Sequence, residues 1–199
     1  SIVQEASVSV PLGSLQTRLI AGQIPDWSGY EYQQPTLNPF TTHNLLYDFT
    51  LPTLYTGAGM QYTRGKWLTK WVVSNMNTSK RNSNERAPAF AYRVDYSKGE
   101  FNGFGFAGVH GKAPNFSGNI LDADGNSVAQ TDSRIDLFEA DAYFIRGDLT
   151  VQGQLSYGRQ RKASITPAED GSLRDATWYG ASALLAYKFI PRWEMIGRF

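Results

Sequence analysis

A chain of 199 residues with a net charge of +1 and no cysteine has room for one domain, or for one barrel of about ten strands at roughly 20 residues per strand and connection. The missing cysteines exclude a disulfide framework and a thiolate metal site, and scattered basic residues near charge balance give no footing for a nucleic-acid partner. No window approaches the roughly 20 apolar residues of a spanning helix, so any passage through a bilayer would be made by strands.

The chain opens with Ser1-Ile2-Val3 inside an alternating run, so a leader and earlier strands are expected to have been lost. Period-two runs follow at about 2–12, 15–25, 55–63, 66–75, 88–97, 100–111, 134–146, 149–161, 176–189 and 193–199. They fall into pairs. Short links at Gly13-Ser14, Arg64-Gly65, Lys98-Gly99, Gly147-Asp148 and Ile190-Pro191-Arg192 alternate with long connections at about 26–54, 76–87, 112–133 and 162–175.

Two-residue turns fix a register for each hairpin. Leu12 should face Leu15 and Val8 face Leu19. Tyr62 should face Trp67, and Ala58 face Trp71. Tyr96 should face Phe101, which sets Tyr92 and Val94 beside Gly105 and Gly103 and reads those glycines as covered by aromatic rings rather than as a nucleotide loop. Phe144 should face Val151 and Phe138 face Tyr157, while the three-residue link pairs Phe189 with Trp193 and Tyr187 with Met195. The pattern predicts an all-β fold, an antiparallel up-and-down transmembrane barrel in a single domain with about ten strands represented, alone or as part of a larger barrel.

The apolar phase carries its rings near strand ends. Tyr62, Trp67, Tyr96, Phe101, Phe144, Phe189 and Trp193 sit close to the short turns, and Tyr157 and Tyr179 mark the other end. Ten residues from Tyr179 to Phe189, tilted, span roughly 25 Å, the height of an outer-membrane apolar band. Aromatic girdles around an aliphatic middle suit lipid bounded by water. A soluble ligand-binding barrel would invert these faces.

The polar phase would line a lumen. It collects Arg18, Lys66, Lys70, Arg93, Lys188 and Arg198 against Glu5, Asp95, Glu139, Asp141 and Glu194, a near balance. Glu139 and Asp141 share a face at about 7 Å, a spacing known from glycosidase carboxylates, but the polar lumen explains them more simply. The connection at 26–54 is too rich in rings for disorder, and its prolines lower the cost of ordering it. Its irregular backbone does not suit lipid. It is expected to enter the lumen as a constriction carrying Tyr30, Glu31, His43 and Asp48, with the acids and His43 meeting Arg18, Lys66 and Lys70.

The stretch Gly22-Gln23-Ile24-Pro25-Asp26-Trp27-Ser28-Gly29-Tyr30-Glu31, with Pro35, Asn38 and Leu51-Pro52-Thr53-Leu54-Tyr55-Thr56-Gly57, resembles the OmpL-like β-barrel porins of Gram-negative outer membranes. Tyr187-Lys188-Phe189-Ile190-Pro191-Arg192-Trp193-Glu194 is similar to hairpins of the same superfamily. The resemblance implies a pore in the outer membrane for passive diffusion of small hydrophilic solutes, without a cofactor. Members of that family are longer, which implies a section of a larger barrel; Phe199 could instead imitate the terminal aromatic used in assembly.

Other constellations are weaker. His43 and His110 are the only histidines, too few for a multi-histidine metal site. His110 with Asp132 could belong to a small outer-membrane barrel protease or lipase, although loop or rim histidines are the much simpler reading. Asp122-Ala123-Asp124-Gly125-Asn126 has the opening of a calcium loop without the closing glutamate, and reads as a turn. Arg159 and Arg161 continue the apolar phase past Tyr157 and should lie at headgroup level, where outer-membrane lipid and lipopolysaccharide offer phosphates.

Overall fold

The computed structural model describes residues 5–50, 54–77, 88–99, 101–113, 120–121, 127–128, 132–164, 166, 168–170 and 172–199. Each of the ten alternating runs is a strand: β1 (Ala6–Leu12), β2 (Ser14–Pro25), β3 (Leu54–Arg64), β4 (Trp67–Asn77), β5 (Ala89–Ser97), β6 (Asn102–Ala113), β9 (Ser133–Arg146), β10 (Leu149–Gln160), β11 (Ala176–Ile190) and β12 (Trp193–Arg198). A separate two-stranded ribbon, β7 (Ile120–Leu121) and β8 (Ser127–Val128), lies between β6 and β9. The calcium-like stretch 122–126 falls outside the described residues.

The ten strands form one antiparallel sheet in the order β1-β2-β3-β4-β5-β6-β9-β10-β11-β12, an up-and-down meander. It is not closed into a barrel, because β1 and β12 are its two ends and do not pair with each other. It is nonetheless bent. Cα atoms of β4 and β6, second neighbours in the sheet, come within 8 Å, whereas a flat sheet would hold them about 9.5 Å apart.

The registers follow from turn chemistry. At Gly147-Asp148, Phe144 faces Val151 and Phe138 faces Tyr157 as the sequence implies. Gly147 has φ +57°, the conformation that the first central residue of a tight hairpin turn requires. The same rule moves the β3–β4 turn one residue along, to Gly65-Lys66, with φ +59° at Gly65. Tyr62 therefore faces Thr69, and Ala58 faces Val73. A shift of two in pairing leaves every side chain on its face.

Three more registers differ from expectation. In β1–β2 the ladder is irregular between Pro11 and Leu12, and Val8 faces Ala21 instead of Leu19; Pro11 has no N–H to give the ladder. At the last hairpin Tyr187 does face Met195, but Trp193 pairs with Ile190 and Phe189 is skipped. The β5–β6 hairpin departs most. Lys98 N donates to Asn102 O at 2.8 Å, closing a longer loop, and Tyr96 faces Phe104 instead of Phe101. That odd-numbered slip turns β6 over, so Phe104 and Phe106 point outward and Gly103 and Gly105 inward. Gly103 is covered by the Tyr143 ring, and Tyr92 covers Gly108 instead.

One face of the sheet is packed and the other bare. Ile20, Ile24, Tyr55, Val72, Met76, Ala91, Val109 and Leu137 are buried together on the inner face. The outer face leaves Leu19, Trp71, Val73, Phe106, Phe138, Leu155 and Leu185 exposed. Such a continuous apolar surface on a soluble monomer is unusual.

Candidate functional site

What covers the inner face is the connection between β2 and β3. Asn44 caps a short helix, α1 (Leu45–Thr50), its Oδ1 accepting from Tyr47 N at 2.7 Å. A 3-10 turn at Pro35–Leu37 precedes it. Leu46 nests on Gly180 of β11, where any Cβ would strike the leucine. Gly29 lies equally close to Gln154 of β10. This segment touches the inner wall along much of its width.

Its polar anchors are specific. Tyr30 Oη is 2.9 Å from Ser182 Oγ on β11. Glu31 is buried and bonds Arg198 of β12 at 2.9 Å and Asn44 N at 2.8 Å. Arg198 also donates to the Thr42 and His43 carbonyls at 2.6 and 3.0 Å and lies over the Phe40 ring. His43 stacks on Tyr47 and contacts Tyr32 O at 3.0 Å, with Asp48 4.0 Å away and largely exposed.

The wall beneath is charged. Arg93 of β5 makes a two-pronged bridge to Asp141 of β9, at 2.8 and 3.0 Å, reaching across β6. It also bonds Asp95 at 2.7 Å and the Trp27 carbonyl at 2.7 Å. Lys70 stands over the Trp27 ring. Planar guanidinium serves both carboxylates at once, as a lysine could not. Beside this network a cavity of about 810 Å³ opens, lined by Trp27, Tyr32, Lys70, Arg93, Tyr143 and Gln152.

Asp26 anchors the start of the segment. Tyr55 and Ser28 both donate to its Oδ1, while Oδ2 is buried without a partner. Burial pushes its carboxyl up to about 6, against those hydrogen bonds, which pull it down.

The expected lining residues divide into three groups. Arg93, Asp95, Glu139 and Asp141 come together on the inner wall, the last two buried. Lys70 and Arg198 join them through the segment. Arg18 instead bonds Ser9 of the neighbouring strand, Lys66 sits in the β3–β4 turn and lines the same cavity from there, and Lys188 and Glu194 face each other, exposed, near the last hairpin. The expected pairing of Glu31 with Arg18, Lys66 or Lys70 is therefore corrected: its cation is Arg198, brought round by the bend of the sheet. Sequence reading missed Asp26, Trp27 and Tyr55 as wall contacts. Their signal was the same aromatic and acidic cluster at the start of the long connection.

Among the outward rings, Tyr62, Trp67, Phe144, Tyr157, Tyr179, Phe189 and Trp193 are exposed. Tyr96 is packed between Trp67 and Phe104. Phe101 is exposed in the loop before β6 and not on a strand. His110 lies 3.0 Å from Asp136, not beside Asp132, and its ring sits between Tyr92 and Phe138 on the outer face. That places it away from the inner cavity.

A family model described as protein of unknown function (DUF3138) matches residues 1–198. The chain belongs to that family. No curated protein and no solved structure matches it. In this DUF3138 chain no helix among the described residues is long and apolar enough to cross a membrane, a fact silent about strands. Among the described residues no cluster of three or more His, Cys, Asp or Glu side chains could hold a metal ion.

Proposed function

We propose that this chain is the wall, or a section of the wall, of an outer-membrane β-barrel porin through which small hydrophilic solutes diffuse, with the 26–50 segment narrowing the passage. The two free edges of the sheet would close on each other or on further strands of the same protein. The observation that carries the reading is the contrast across one sheet: an exposed apolar face, with rings near both ends and Phe104 and Phe106 at mid-height, behind a charged inner face with an open cavity. Lipid would satisfy the first and water the second. The resemblance of the 22–57 stretch to OmpL-like porins supports the same reading. The pore works by width and lining charge, with no cofactor and no covalent step.

The His110–Asp136 pair favours a second reading, an enzyme on the barrel's outer surface, because a carboxylate-oriented histidine is the core of many hydrolytic sites. Its ring packs between two aromatics, away from the inner cavity, and the passive pore is preferred.

Reconstitution into planar bilayers tests the proposal. The intact protein should insert and conduct, and deletion of residues 30–47 should raise single-channel conductance clearly. An assembled protein whose conductance ignores the deletion would remove the segment from the passage, and failure to insert would remove the pore altogether.

A further inference from the structure

We propose that the outer face of β6, β9, β10 and β11 holds one phosphorylated lipid, its headgroup on a belt of arginines at the long-connection edge and an acyl chain in a depression below. The inference rests on the outer face meeting lipid. It adds a specific ligand on the outside of the wall.

Register sets the belt on one level. Lys112 pairs with Arg134 and His110 with Asp136 across β6–β9. Asp136 pairs in turn with Arg159 across β9–β10, and Arg161 N donates to Arg134 O. Three arginines, Arg134, Arg159 and Arg161, gather along this belt beside two acids, Asp136 and Asp175. Both acids are already engaged. Asp136 is held by His110 at 3.0 Å and Arg134 at 3.2 Å, and Asp175 by Arg159 at 2.7 Å and Lys162 N at 3.1 Å. Arg134 and Arg159, each 58% exposed, spend Nε and Nη2 on these acids and keep Nη1 clear of them, and Arg161 is exposed beside them. Guanidinium forks match phosphate oxygens in shape and charge.

The second observation is independent of charge. On the same four strands, nearer the short turns, Ala140, Ala142, Gly153, Ala181 and Ala183 leave an open depression of about 590 Å³ walled by Phe106, Leu155 and Phe199. A Cβ added at Gly153 would meet nothing closer than 3.9 Å, so this chain does not use the space for its own packing. Asp136 and Ala142 are six residues apart on β9, roughly 20 Å. Anionic head and apolar tail of one amphiphile would thus lie along one set of strands.

Other occupants fit less well. Inorganic phosphate would use the belt and leave the depression empty. A second copy, docked by the same face, would bring its own arginines towards these.

Binding of rough lipopolysaccharide to the purified protein in nonionic detergent, read by native mass spectrometry, tests the site. Arg134→Gln, Arg159→Gln and Arg161→Gln together should weaken binding about tenfold or more. Gly153→Leu, which fills the depression without touching the belt, should also weaken it, and inorganic phosphate should compete poorly. Single-channel conductance should be unchanged in both variants, which shows that they are assembled. Full lipopolysaccharide binding by the arginine-free belt overturns the proposal. So does competition by phosphate at matched phosphate concentration, or a Gly153→Leu variant that changes oligomeric state while binding lipid normally. A protein that inserts and conducts but does not bind lipopolysaccharide sinks this inference alone. One that never inserts sinks the pore reading beneath it.

Discussion

The two faces of β9 and β10 share one backbone and almost nothing else. Outward, Phe138, Ala140, Ala142 and Phe144 run beside Val151, Gly153, Leu155 and Tyr157, with no charged side chain between the end rings. Inward, Leu137, Glu139, Asp141 and Tyr143 run beside Gln152, Gln154, Ser156 and Gly158, and Asp141 is tied to Arg93 two strands away. A strand changes environment at every residue, so a single sheet can separate two solvents. The difference also shows where stability is held. The outer face depends on what surrounds it, whereas the inner face is fastened by named contacts to a segment of the chain itself.

The sharpest way to break the inner face is Arg93→Ala. Asp141, only 5% exposed at its side chain, would be left buried without its cation, and the Trp27 carbonyl would lose a donor. Removing one partner of a buried pair costs about 3–5 kcal/mol. Denaturant unfolding in micelles should show that loss, together with faster proteolysis of the 26–50 segment. Arg93→Ala with unchanged stability would mean that the segment is held elsewhere.

The outer face is broken by charge at mid-height. Ala183 lies on β11 between Tyr179 and Tyr187, so Ala183→Arg should cost about 2–4 kcal/mol in bilayers, while Gln152→Arg, into the open cavity, should cost little. Gln154 is not a fair control despite its polar phase, because it is buried against Gly29. Equal penalties at Ala183 and Gln152 in a bilayer refolding assay would contradict the assignment of faces.

Protonation sharpens the comparison further. Asp26 ionises at about 6 in the folded protein, above its ordinary 3.8, so the folded state favours the protonated acid. Its contribution is fully present below about pH 4 and is lost as pH rises through 6, at most about 3 kcal/mol. Asp26→Asn mimics the protonated form. The stability difference between variant and wild type should therefore grow from pH 4 and level off above 6, read by hydrogen exchange in the segment. A difference independent of pH would show that Asp26 does not titrate there.

Most of the strand plan was legible because alternation survives small errors. Two-residue shifts at Gly13 and Gly65 left faces intact, and Gly147 gave the pairing outright. Register failed at Lys98-Gly99 because Lys98 N donates to Asn102 O and closes a longer loop, which composition alone does not announce. Of the inner site, Arg93, Asp95 and Asp141 were visible as an inward phase. The union of Glu31 with Arg198 was not, since it depends on how far the sheet bends and joins residues at opposite ends of the chain.

The smallest expected effect tests that one odd-numbered slip. Tyr96 stacks on Phe104 with ring centroids 5.3 Å apart and meets Trp67 at a tilt, 4.8 Å away, all on the outer face. If β6 is turned as found, a double-mutant cycle of Tyr96→Leu with Phe104→Leu should give a coupling of about 0.5–1.5 kcal/mol, the usual size for an aromatic pair. The cycle of Tyr96→Leu with Phe101→Leu should give none, because Phe101 lies in the loop. The opposite outcome, coupling to Phe101 alone, would restore the two-residue turn, move Gly103 and Gly105 outward and place Phe104 on the inner wall. Because that rearrangement would also carry Phe106 and His110 inward, the measurement checks both the wall of the lipid depression and the outer position of the His110–Asp136 pair.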